Sequence, residues 1–299
     1  MSTDPAVAAL RAVAAHPRVR EAEAAVREAS TALRWSEALR RRWREARVEA
    51  AVRGAVASAG VEGAVVPARL LREAVAERTL TEALTGDPAL DAAAGLWRAG
   101  VRLTRWWPDL RGPLRPAQPT PRELLAALHR DVVGPLAAAG TIPVADVAVP
   151  RPAGTAPLEG GPGPTPDGPA LTARLDGILH LVDVPGAPAL VRAAVVHAET
   201  VAARPFTAGN AAVARLLARH LVTRDGLEPT GVAVADLWAA RDPGGYAQAL
   251  AAYASGTGDG VVDWVVWQAQ ALLVGIEEGL SLCRDIQAGT TAAGAQGRS

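Results

Sequence analysis

Arg204-Pro-Phe-Thr-Ala-Gly-Asn-Ala-Ala-Val-Ala-Arg215 decides the reading of this chain, because it holds the only phenylalanine and the only asparagine among 299 residues, four positions apart. An aromatic ring there anchors a loop, and an amide stands beside a Gly-containing turn that opens a helix. Such a turn aims backbone N–H groups at an anion. Arg204 is protonated at neutral pH, so it can grip a phosphate but cannot take up a proton.

Composition sets the bounds around this window. The formal net charge is zero, so no global field draws the chain to nucleic acid or to an anionic membrane. Every basic side chain other than histidine is arginine. Cys283 is the single cysteine, which excludes an internal disulfide and a multi-cysteine metal site and fits a reducing, cytoplasmic setting. The N-terminus lacks a basic stretch followed by an apolar run, and the apolar segment 261–276 is broken by Asp263, Gln268 and Gln270. Neither a signal peptide nor a membrane span is expected.

Apolar periodicity and capping signals predict an all-α chain. A short helix starts at Asp4-Pro5, and a long helical pattern runs from about 19 to 58, with Trp35 and Trp43 eight apart on one face. Helices follow at about 67–84 and 87–100. Trp106-Trp107-Pro108 opens a Pro-rich connector to Pro121, where a soft boundary separates an N-terminal helical region, 1–110, from a core, 111–286. Thr120 with Glu123 forms a capping box for a helix carrying His129. Residues 140–170 are Gly- and Pro-rich and allow a short hairpin or an extended loop. Helices are expected at about 170–183, 187–203, 210–223, 231–240, 244–254 and 258–286, with a disordered tail at 287–299.

The stretch from Val191 through Ala203, followed by Pro205, Phe206, Gly209, Asn210 and Arg215, resembles the Fic (Fido) family in register, and His197 matches a histidine seven residues upstream of the motif. Leu128-His-Arg-Asp-Val132 looks like the family's preceding helix. The resemblance spans about residues 120–285. It implies a helical bundle with a short flap, and transfer of AMP or a related group from a nucleotide to a protein hydroxyl. Ser58-Ala-Gly-Val-Glu-Gly63 resembles the family's N-terminal inhibitory pattern, in which the glutamate pairs with the last motif arginine. That gives Ser58 and Glu62 a regulatory role against Arg215.

Four departures qualify this. The family's catalytic histidine is Arg204, its acidic metal ligand is Ala208, its second glycine is Ala211 and its first phosphate-binding arginine is Ala212. A missing general base costs about 10²–10⁴ in rate. A lost charge-assisted contact costs about 1.5–3 kcal/mol. If position 211 is left-handed, as a glycine there allows, the Ala211 β-carbon costs about 1–2 kcal/mol.

The expectation is therefore a degenerate Fic-like protein, with no catalytic residue, no bound Mg²⁺, and weak binding of ATP or another nucleotide through Gly209, Asn210 and Arg215. Alternatives are a transferase with rearranged catalysis and a scaffold for a protein partner. His197 reads as a hydrogen-bonded core residue and His220 as peripheral. His16, His129 and His180 have no metal or triad spacing.

Overall fold

The computed structural model describes residues 4–80, 84–112 and 115–290. Thirteen α-helices occur among them: α1 (Pro5–Ala14), α2 (Pro17–Arg34), α3 (Glu37–Arg41), α4 (Trp43–Val61), α5 (Ala68–Ala76), α6 (Pro88–Thr104), α7 (Pro121–Ala138), α8 (Gly168–Asp183), α9 (Ala189–Ala203), α10 (Asn210–Arg224), α11 (Asp236–Arg241), α12 (Pro243–Ala254) and α13 (Gly258–Ala288). No strand occurs among the described residues. The all-α expectation holds, and the two helix starts read from local signals, Asp4-Pro5 and Thr120 with Glu123, carry the expected caps. Asp4 and Asp87 cap α1 and α6 ahead of prolines, and Thr120 with Glu123 forms a complete capping box on α7.

The expected long helix at 19–58 is three helices. The chain turns at Trp35-Ser36 and again at Arg42. Trp35 terminates α2 and is 69% exposed, whereas Trp43 starts α4 and is buried. The two do not share a face; helical spacing is meaningless once the helix is interrupted between them. The helix expected over 67–84 ends at Ala76, with residues 81–83 outside the described set. Of the expected tail, 291–299 lie outside the described residues, and α13 reaches Ala288.

Helices α9 and α10 form a tightly packed antiparallel pair, α7 and α8 lie beside them, and α13 runs along α2, α9, α11 and α12. At 31 residues α13 is about 46 Å long. Helix α4 packs on α6 and α11 and is buried nearly all round, as its lack of a polar face requires. Its Arg47 is enclosed between Trp43 and Trp107, 4.9 and 5.5 Å from their rings. It donates to the carbonyl oxygens of Thr230 at 2.8 Å and Pro108 at 3.0 Å. Burial lowers its pKa to about 10, so it remains charged at neutral pH. These bonds tie α4 to the segment between α10 and α11 and to the connector after α6.

Residues 140–167 form an extended segment, with one 3₁₀ turn at Val144–Asp146 and no hairpin. Its prolines cannot donate to a ladder, so the loop option is the one realised.

Candidate functional site

Helix α9 stops at Arg204, which adopts the left-handed conformation (φ 45°) and donates its N–H to the Thr200 carbonyl at 3.0 Å. A left-handed non-glycine residue costs about 1–2 kcal/mol, so the turn must be held by its surroundings. Phe206 holds it from below. Its ring is buried and stacks on the His129 imidazole with centroids 3.7 Å apart and planes 11° from parallel. His129 Nδ1 accepts the Ala148 N–H at 2.8 Å, which places the proton on Nε2 for donation to the Ala208 carbonyl at 3.1 Å. Burial lowers the His129 pKa to about 4, keeping the ring neutral. No metal or triad forms at His129. It is the floor of the loop, a role that residue spacing does not reveal.

Asn210 closes the loop upon itself. Its Oδ1 accepts the Phe206 N–H at 2.8 Å, and its Nδ2 donates to the Phe206 carbonyl at 2.9 Å. That two-way bond needs an amide side chain at 210, and the ring at 206 is what stacks on His129. Gly209 is left-handed (φ 77°), and a β-carbon there would lie 2.6 Å from Val133 Cγ1. Only glycine fits. Position 211 lies inside α10 with no left-handed backbone, so Ala211 carries no conformational penalty.

The N–H groups of Gly209 and Asn210 converge, as the turn chemistry predicts, and the group they meet is Glu159. Its carboxylate accepts from Gly209 N–H, from Asn210 N–H at 3.1 and 3.0 Å, and from Asn210 Nδ2 at 3.0 Å. Burial raises the Glu159 pKa, with the charge of Glu62 adding to the rise and the Asn210 bonds opposing it. Sequence reasoning missed Glu159 altogether, because nothing in its Pro/Gly-rich surroundings marks it.

Arg215, one and a half turns into α10, reaches the other carboxylate. Its Nη2 lies 2.7 Å from Glu62 Oε1, its Nε donates to Ser58 Oγ at 2.9 Å, and Asp236 lies 3.7 Å behind it. Burial disfavours the Arg215 charge, but Glu62, Tyr246 and Asp236 offset it and hold the pKa above the ordinary arginine value. Ser58 and Glu62, 153 and more positions away in sequence, are thus brought to Arg215 as expected.

His197 is the expected core residue. It is buried, hydrogen-bonded to Tyr246 Oη at 2.9 Å and Gln268 Nε2 at 3.0 Å, and packed edge-on to Trp264. Its pKa falls to about 3 through burial and the Arg215 charge. His220 is not peripheral: it is buried, with its ring edge-on to Trp106. It faces inward because α10 is enclosed on all sides.

Arg204 does not present its guanidinium to an open cleft. Nη2 donates to the Gly163 carbonyl at 3.0 Å, and the side chain is buried. Ala208 is buried and has no ligand atom, and no cluster of three histidine, cysteine or acidic side chains able to hold a metal occurs among the described residues.

No family model matches the sequence, and no curated protein matches it. The fold does find matches. A Fic family protein from Desulfovibrio desulfuricans G20 superposes with a TM-score of 0.65 at 16% identity, covering 94% of this chain and 76% of that one. A fragment of Fic-1 from C. elegans gives 0.61 at 20% identity, covering 94% and 74%, and a variant of that fragment gives 0.59 at 19%. The architecture is the Fic fold.

Proposed function

We propose that this is a degenerate Fic-fold protein that does not carry out standard AMP transfer and that retains a weak, metal-independent site for a nucleotide or other phosphate-bearing anion. One observation carries the reading. The cradle at Gly209 and Asn210 is intact enough to hold a carboxylate through both backbone N–H groups, while the neighbouring position for a proton acceptor holds the charged side chain of Arg204. Arg215 offers a second cationic contact one and a half turns further along α10. No helix of the described residues is long and apolar enough to cross a membrane. The setting we propose is cytoplasmic, with a protein as the partner.

A transferase with rearranged catalysis is favoured by one feature. Glu159 is a carboxyl with a raised pKa seated on the motif loop, able in principle to take a hydroxyl proton. Incubation with α-labelled ATP, Mg²⁺ and a cell lysate distinguishes the two. The degenerate reading expects no covalent label. Label that disappears in both Arg215→Ala and Glu159→Gln would establish the transferase instead. Calorimetric titration with ATP, with and without Mg²⁺, checks the site itself: metal-independent heat supports it, and no heat at millimolar ATP from a protein freed of Glu62 and Glu159 leaves only a scaffold.

A further inference from the structure

The segment over the motif loop is bound to it in an unusual way. From Pro150 through Pro166 the chain has six prolines, counting both ends, and Asp167 closes the base of this strap by accepting from Gly154 N–H at 2.9 Å and from Arg151 Nη1 at 3.2 Å. The strap lies along residues 204–210. Arg151 N–H donates to the Pro205 carbonyl and Leu158 N–H to the Thr207 carbonyl, both at 2.8 Å. Arg151 Nε reaches the Arg204 carbonyl at 2.9 Å, and Arg204 Nη2 returns a bond to Gly163. Gly161 lies against the Arg204 guanidinium so closely that a β-carbon would come within 2.6 Å of Nη1.

Burial follows a different pattern. None of residues 150–167 belongs to the hydrophobic core, nor to the apolar side chains packed against it, and Leu158 points outward at 61% exposure. The strap adds no aliphatic or aromatic side chain to the core, and its attachments to the motif loop are hydrogen bonds. Segments attached in this way open at lower free energy than the globule. Its prolines restrict the backbone freedom that the strap gains on release. Of its contacts, the Glu159 carboxylate is the one that engages the cradle's donors.

We propose that the 150–167 strap is a built-in lid on the motif loop, latched by the Glu159 carboxylate, which occupies the cradle that a phosphate-type oxyanion would need. Arg204 is the second fastening: where the family carries its proton acceptor, this chain carries a clasp for the lid. Glu62 sits on Arg215 and Glu159 on the Gly209–Asn210 amides, so each of the two anion contacts of the cleft is filled by a carboxylate of the chain itself. The occupant class rests on the anion-site reading given above; the latch does not.

The test separates the two. Amide hydrogen exchange at Leu158, Gly209 and Asn210 is compared in the full chain, Glu159→Ala and Glu159→Gln, with thermal melting to confirm folding; the glutamine variant preserves size if the alanine variant fails to fold. Loss of a latch of charge-assisted bonds accelerates exchange at these amides about tenfold or more, with α13 amides unchanged. Exchange unchanged in the folded variants overturns the proposal. Titration with inorganic pyrophosphate follows. Faster exchange with new pyrophosphate binding supports lid and anion site together. Faster exchange without binding upholds the lid and removes the anion site.

Discussion

Replacing Glu62 by glycine perturbs one ion pair with two separable consequences. In the folded protein Glu62 Oε1 lies 2.7 Å from Arg215 Nη2; the arginine side chain is 2% exposed and the glutamate 37%. Breaking a fully buried pair costs about 3–5 kcal/mol, because one charge is left without its partner. Glu62 is more than a third exposed, and Ser58 and Asp236 remain beside the guanidinium, so the expected loss is smaller, about 1–2 kcal/mol. The same change frees a charge-assisted contact worth about 1.5–3 kcal/mol for a ligand phosphate, a tightening of about tenfold to a hundredfold. Urea denaturation reads the first effect and calorimetric titration with ATP the second. Because Glu159 still fills the neighbouring cradle, the titration is run in both the natural and the Glu159→Gln backgrounds. A protein that loses stability but gains no affinity in either background would show that the pair is structural, and the competition argument would be wrong.

Three other outcomes are expected. Phe206→Ala removes a buried ring stacked on His129 and lowers stability by about 3–5 kcal/mol in denaturant unfolding, whereas a value under about 1 kcal/mol would mean the loop is not anchored there. Gly209→Ala meets both a left-handed backbone and Val133 Cγ1 at 2.6 Å; it should cost about 1–2 kcal/mol for the backbone alone, with more from the clash, and an unchanged midpoint would contradict the turn geometry. Burial lowers His220 from 6.5 to about 3, so below pH 6.5 the unfolded chain takes a proton that the folded chain refuses. Stability from this residue is thus present above pH 6.5 and lost progressively down to about 3. His220→Phe should flatten the stability-versus-pH slope near pH 5.5 by about 1.2 kcal/mol per pH unit, and a slope unaltered by the change would refute the assignment.

The sequence by itself determined the helices whose signals are local. Thr120 with Glu123 and Asp4 before Pro5 announce their helix starts within four residues, and each structure-forming contact lies inside that span. It also marked the 204–210 turn, through the lone phenylalanine and lone asparagine flanking Gly209, whose bonds close the loop. The pairing of Glu62 with Arg215 was legible only through the resemblance, because no local rule links residues 153 apart. Tertiary structure alone decided the breaks at Trp35 and Arg42, where the chain must turn to lay α2 on α13 and α4 on α6. It also decided the fate of Arg204 and Glu159. A charged side chain in a Pro/Gly-rich loop has no periodicity to reveal its direction. Its partner is fixed only when packing brings another loop, here one 50 residues later in the sequence, within hydrogen-bonding distance.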